Sequence, residues 1–509
     1  MDILERIIEN LTSDEVRRFK ILSNRFKADE EKKLLILFDA IRAGDFKQTE
    51  ASLIAQFYGK TDAKAKNSYY RLRNKLLSNL EKSLLFYHFN YKNSIESYSN
   101  IQLSILFRER GLYREAYYNL RKAEKVALEH DQFNVLEIIY DEMVKLAAHH
   151  EIDIEQVIQK RRQNQQKIEF LRANSEVLGM VTQQLMRRNY ARSKGTESVI
   201  EMLEGVKNAL EEHKDLFQST SGKTMILRTV VAILIQKSAY HELGEYVRET
   251  FDEFDKHKHF NKENHSTRIM LRIWRINALQ KQLRLKEAHT TIEALRKDLN
   301  MYNRQNFKEF AFHYFAPKIY NLKLTGELDE AGETLKEAFQ HKEILQNEVH
   351  EIFLMISLAD QYFSQGLYPK AVQKTREIIA HAGFKMLDEQ IRFYVQLFCI
   401  VNEYESRQYE TAASSYKSLK KRFRHLLKDE FYQKSSRFLD IIMRLNTAAI
   451  QEKRVFLKSA YKHFTADFPR SEIGGNQIIL YEVYLKTKIQ EEQSYYELLC
   501  EEVSRHQDQ

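Results

Sequence analysis

Apolar positions recur along this chain with the period of an α-helix almost from end to end. One local arrangement returns in five segments: a turn, a pair of charged or polar residues, then an alanine. The segments are GLYREA ending at Ala116, LRLKEA at Ala288, GELDEA at Ala331, GLYPKA at Ala371 and RQYETA at Ala412. The last four alanines lie 43, 40 and 41 residues apart. A looser copy, SAYHEL, ends at Leu243, one such period before Ala288, and Ala116 lies close to three periods before Leu243. Nine residues before the alanine stand Phe107, Leu279, Leu322 and Tyr362; five before it stand Gly111, Gly326 and Gly366. Four and seven after it stand Leu120 with Ala123, Ile292 with Leu295, Leu335 with Ala338, and Tyr416 with Leu419. Such spacing is one face of a helix. The pattern predicts helical hairpins. Helix A stops beside a glycine that can turn left-handed, helix B starts just after it, and the small alanine lets the two approach. Pro369 falls in the first turn of its helix B, where the missing N–H costs little. A single pair cannot bury its own apolar stripe, so the pairs are expected to stack.

The rest of the chain is helical without the repeat. Helices are predicted near 2–11, 13–26, 29–43, 48–57 and 62–90. Thr12 and Ser13 are placed to cap the second, and Thr61 and Asp62 to cap the last. Residues 154–190 read as one long polar helix carrying Lys160, Arg161, Arg162, Arg187 and Arg188; a helix this polar lies outside an array or bridges two parts of it. Loops are expected at 191–198 and 468–475, a kink at Pro317, and a frayed tail in SRHQDQ. The segments are therefore 1–92, an N-terminal helical domain; 93–150, a first repeat region; 151–215, the polar helix and a connection; 216–430, the main array; and 431–509, a helical cap.

The order large–Gly–Ala–aromatic–Ala, clearest at Phe107, Gly111, Ala116, Leu120 and Ala123, resembles the tetratricopeptide repeat (TPR) family. The resemblance covers residues 94–430 with a gap from about 150 to 215. It departs from the family in two ways. The family repeat is about 34 residues long, shorter than the 40–45 here, and the family's Trp–Leu–Gly opening is missing. The resemblance implies an all-α, TPR-like α-solenoid whose A helices line a concave groove. Counting back from each alanine puts Met270, Asn277, Lys281, His313, Tyr320, Lys323, Phe353, Asp360, Tyr394 and Tyr404 in that groove. Aromatics mixed with Lys and Asn suit a peptide carrying an acidic group or a C-terminal carboxylate.

Composition narrows the classes. With 14 Gly and 3 Pro in 509 residues, strands and tight turns are disfavoured, and 43% hydrophobic content is enough for a continuous core. The formal charge of +8, from 80 Lys and Arg against 72 Asp and Glu, permits an acidic partner without demanding one. Cys399 and Cys500 have no metal-type spacing and lie in apolar runs, so buried inert thiols in a reducing cytoplasm are expected. No apolar leader opens the chain. The longest apolar stretch, Met225–Ile235, contains Arg228. It is far short of the roughly 20 residues a membrane helix needs.

Catalytic motifs fail on spacing. Gly59-Lys60-Thr61 and Gly222-Lys223-Thr224 lack the earlier glycine of a phosphate loop, having Ile54 and Phe217 there. His257 with His259, and His149 with His150, Glu151 and Asp153, lack the i, i+4 spacing that aims two ligands from one helix face. His241-Glu242 begins an HExxH-like run that meets Glu245 in place of the second His.

Residues 60–92 are different. They hold eight Lys or Arg against Asp62 and Glu81. With the preceding TEASLIAQFYG they look like a helix-turn-helix, in which Lys64, Asn67, Arg71 and Lys75 share one face, with Arg73 beside them, while Leu72, Leu76, Leu80 and Leu84 pack inward. Two functions follow as expectations. The first is a non-enzymatic cytoplasmic scaffold or adaptor, without cofactor, metal or membrane span, that binds a protein or peptide partner in its groove. The alternative is a nucleic-acid-binding regulator, with Lys64, Asn67, Arg71, Arg73 and Lys75 as contacts and the repeats sensing a peptide or forming a homodimer; that layout resembles peptide-sensing regulators.

Overall fold

The computed structural model describes residues 3–9, 11–23, 29–43, 46–88, 93–149, 152–187, 204–205, 208, 220–262, 264–447, 450–468, 477–490 and 492–507. Among these residues there are 24 α-helices and no strand. The loops expected at 191–198 and 468–475 lie outside them, apart from Phe468. The chain forms two compact units, Met1–Ala173 and Asn174–Gln509.

In the first unit, α1 (Ile3–Glu9), α2 (Ser13–Ser23), α3 (Asp29–Arg42), α4 (Phe46–Tyr58) and α5 (Ala63–His88) enclose a core of Leu4, Phe19, Leu34, Phe38, Ile54, Tyr69, Leu72 and Leu76. Thr12 and Glu15 cap α2 reciprocally. The Thr12 amide donates to Glu15 Oε2 at 2.7 Å, and the Glu15 amide donates to Thr12 Oγ1 at 3.3 Å. Helices α6 (Asn93–Glu109), α7 (Tyr113–Glu129) and α8 (Phe133–Leu146), with the first part of α9 (Ile154–Arg187), build a second core around Ile101, Leu120, Leu136, Ile139 and Met143. The start of polar α9 is tied down: Lys160 pairs with Glu124 at 2.9 Å, Arg161 with Glu137 at 2.7 Å, and Asn164 Nδ2 donates to the Phe133 carbonyl at 2.9 Å.

The second unit carries five hairpins in sequence. They are α10 (Thr220–Gln236) with α11 (Tyr240–Lys256), α12 (His265–Lys281) with α13 (Leu285–Leu299), α14 (Phe307–Leu324) with α15 (Leu328–Gln340), α17 (Glu348–Ser364) with α18 (Tyr368–Ala380), and α19 (Glu389–Glu405) with α20 (Tyr409–Arg422). The short α16 (Lys342–Leu345) lies in one connection. Each helix B also packs on the next helix A. Helices α21 (Glu430–Thr447), α22 (Ile450–Asp467), α23 (Tyr481–Gln490) and α24 (Tyr495–Gln507) follow.

The turn inside each hairpin, and that between α6 and α7, has one geometry. Its middle residue is left-handed in all six: Gly111, Ser238, Leu283, Gly326, Gly366 and Arg407 have φ of 75°, 54°, 58°, 91°, 72° and 60°. The next residue's amide reaches back to the carbonyl five positions earlier, Leu112 to Phe107, Ala239 to Leu234, Arg284 to Leu279, Glu327 to Leu322, Leu367 to Tyr362 and Gln408 to Glu403, at 2.8–2.9 Å. This bond closes a helix end that otherwise leaves carbonyls unpaired. Five residues after each left-handed position stands Ala116, Leu243, Ala288, Ala331, Ala371 or Ala412, each with no exposed surface. The pairs therefore share one turn and one fully buried position after it. Amide side chains join successive pairs: Gln282 donates to the Tyr240 carbonyl at 2.8 Å, Asn321 to Leu285 at 3.2 Å, and Gln361 to Leu328 at 2.7 Å, each acceptor being the first residue of the preceding helix B.

Two further segments are placed, and one expectation, the frayed tail, is corrected. Pro317 lies inside helix α14, where its missing N–H falls opposite the His313 carbonyl. The tail is helical to Gln507 because its end is bonded to the body of the unit. Gly222, Lys223 and Thr224 lie in the first turns of α10, with Lys223 paired to Glu253 at 2.7 Å, in keeping with the missing phosphate-loop glycine.

Candidate functional site

Helices α12 and α14 lie side by side and leave a hollow of about 280 Å³ between them. Its walls are Ile273, Ile276, Asn277 and Gln280 from α12 and Phe312, His313, Ala316, Pro317 and Tyr320 from α14. These positions repeat at three and four residues, so each helix presents one stripe to the hollow. Three of the ten predicted groove residues, Asn277, His313 and Tyr320, meet here. The other lining residues were missed because the count back from each alanine picked single positions instead of the whole stripe.

The chemistry of the hollow is apolar with a few polar groups. Gln280 Nε2 donates to the Pro317 carbonyl at 2.7 Å, which fixes the amide across the two helices. Burial lowers the His313 imidazole pKa from its ordinary value, which disfavours the charged form. Beside it, the His350 ring stacks on Phe312 at 4.2 Å, and its pKa is lowered by burial and then by His313. Burial raises the Tyr320 phenol, and Asp360 adds to this. A neutral imidazole, an asparagine amide and aromatic walls can hold a bulky apolar group and bond a polar atom at its edge.

The remaining candidates are placed elsewhere. Met270 packs against the core around Ile269 and Phe310, and Phe353 stands 6.1 Å from Phe312. The Lys281 ammonium lies over the Tyr240 ring at 5.7 Å. Lys323 is buried and paired with Asp360. Tyr404 is half-buried 5.7 Å from Tyr409, its phenol pushed up to about 12 by burial and then by Glu405. Tyr394 does not face an open surface; it is buried against Phe393 and Tyr432.

In the first unit, α4, a four-residue turn and α5 follow one another as the basic segment predicted. Gly59 is left-handed at φ 71°, and Asp62 Oδ1 accepts the Ala65 amide at 2.7 Å and caps α5. Lys64, Asn67, Arg71 and Lys75 are exposed, while Leu72, Leu76 and Leu80 are buried on the other side. Arg73 departs from its expected role. It is buried beside Glu5, with Nη2 3.8 Å from Oε1, and no phosphate reaches it there. The sequence carried the signal, since Arg73 lies four residues after Tyr69 and three before Leu76, on the core stripe.

Both cysteines are free. Burial, then Glu403, pushes the Cys399 thiol up to about 11, and burial raises half-buried Cys500, so neither is a ready nucleophile. Among the described residues no helix is long and apolar enough to cross a membrane, and no three His, Cys, Asp or Glu gather as metal ligands would. No protein-family model and no curated protein matches this chain.

Proposed function

We propose that this chain is a non-enzymatic, cytoplasmic interaction scaffold, a TPR-like α-solenoid that holds a partner's peptide or helix along its A helices. The hollow between α12 and α14 carries this reading. It has room for one aromatic side chain, and it offers Asn277 and His313 to the backbone or polar tip of the same partner. The shared geometry of the six turns supports a repeat, and adjacent A helices of a repeat form a surface that binds without chemistry.

The test is to pan a random peptide library against the full chain. Peptides with an aromatic anchor are expected, and Ala316→Trp, which fills the hollow, should weaken them about tenfold or more. Peptides that bind the filled variant equally well refute the site.

The exposed row Lys64, Asn67, Arg71 and Lys75 favours a second reading, a nucleic-acid regulator with α5 in the groove of a duplex. In an electrophoretic shift assay, binding should fall steeply with salt, and Arg71→Ala with Lys75→Ala should reduce the salt slope by about one per lost phosphate contact. A shift that ignores both changes rejects this reading.

A further inference from the structure

Proline is costly inside a helix, because its ring crowds the preceding turn and it brings no N–H. Pro369 stands in the first turn of α18, where that loss is harmless. Pro317 stands in the interior of α14, and it is also a wall of the hollow. The costly residue and the cavity coincide.

The consequence is a backbone acceptor at the cavity. In a regular helix the amide of residue 317 would donate to the carbonyl of residue 313. Proline has no such donor, and no side chain among the described residues donates to the His313 carbonyl in its place. His313, Ala316, Pro317 and Tyr320 form one stripe toward the hollow, so this carbonyl lies in its wall. Ala316, beside it, carries only a methyl group. A second acceptor comes from α12. Gln280 Nε2 is committed to the Pro317 carbonyl at 2.7 Å. Its Oε1 has no hydrogen-bond partner among the described residues. Asn277 and the His313 ring add groups that both donate and accept. Ile273, Ile276 and Phe312 make the rest of the wall apolar, and no Lys, Arg, Asp or Glu lines it.

These features select a guest. A purely apolar ring would displace water and leave the two acceptors unpaired, which costs free energy. A charged group would meet no counter-charge. A phenol brings lone pairs of its own to a wall that already has acceptors. The indole of tryptophan is flat, neutral and bulky, and its one polar group is a donor only.

We infer that the hollow is an indole site: it takes a tryptophan side chain of the partner segment, with the indole N–H on the acceptors that Pro317 and Gln280 leave open. The inference rests on the scaffold reading and narrows its aromatic anchor to one residue type.

Ligand-detected NMR titrations of the full chain test it with the acetylated and amidated peptide Gly-Gly-X-Gly-Gly. In one version X is tryptophan. In the second it is benzothienylalanine, in which sulfur replaces the ring N–H at nearly the same shape. In the third it is phenylalanine. The tryptophan peptide should bind about tenfold more tightly than the benzothienylalanine peptide. Pro317→Ala gives the His313 carbonyl its helical donor back and should lower that ratio at least about threefold. Should Pro317→Ala fail to fold, Gln280→Met, which removes the second acceptor, gives the same readout. Equal binding of the tryptophan and benzothienylalanine peptides overturns the inference, as does a ratio that both variants leave unchanged. Free indole that binds more tightly than the tryptophan peptide also overturns it, since the source would then be a small molecule. If all three peptides bind alike and Ala316→Trp weakens each, the scaffold reading stands and the indole site falls. If none binds, or Ala316→Trp weakens none, both fall.

Discussion

Six residues turn helix A into helix B, and only three of them are glycine. A left-handed backbone costs an ordinary L-residue about 1–2 kcal/mol, part of which glycine gives back as unfolded-state entropy. Arg407 is exposed, so Arg407→Gly should stabilise the protein by about 1 kcal/mol. Gly326→Ala should cost about as much; a Cβ there would meet nothing within 4 Å, so the loss would be all backbone. Urea denaturation measures both, and opposite signs would show that this turn is not the strained point. Leu283 is a poor choice for the same exchange because its side chain is buried. His313 sets a pH dependence. Its folded pKa lies below the ordinary 6.5, so the unfolded state binds more protons in that window. Its contribution is complete above about pH 6.5 and is lost as pH falls through the folded value. His313→Asn should therefore flatten the stability profile between pH 7 and 5, and an equally steep profile would exclude His313 as the cause.

At the scale of elements, the crossing matters more than the turn. Ala331 has no exposed surface. Ala331→Leu should therefore overpack the contact and cost about 1–3 kcal/mol, seen as a lower urea midpoint. An unchanged midpoint would mean that the helices are free to move apart. This level was legible in the sequence. The alanine spacing gave the hairpins, the glycines gave three of the turns, and Asp62 gave the start of α5. Ser238, Leu283 and Arg407 have no local preference for a left-handed backbone, so only their distance from the buried residue betrayed them. The long repeat period is also explained. The A helices have 17 or 18 residues, and the B-to-A connections hold short turns such as Tyr302–Arg304 and Ala382–Met386. Neither feature leaves a periodic mark.

At the scale of the molecule, the return of α24 could not be read from the chain. Tyr496 and Lys323 are 173 residues apart, and Gln507 and Leu283 are 224 apart. No spacing rule links them, and the polar tail reads as frayed until its partner is known. A stack of hairpins held only by neighbours unfolds piecemeal. Contacts that skip hairpins tie distant ones into a single transition. Leu499→Ala should thus lower the slope of the second unit's urea transition as well as its midpoint, because less surface is then exposed in one step. A shifted midpoint with an unchanged slope would mean that α24 adds stability without cooperativity.

The mixed composition of the six turns bears on how kin of this chain are to be found. Backbone shape at that site is tolerant of residue type, whereas the space five residues later admits alanine in five junctions and leucine in one. A search pattern anchored on glycine would recognise half of the junctions. One anchored on side-chain volume at the crossing would recognise all but Leu243, and would carry across to sequences that have lost every glycine.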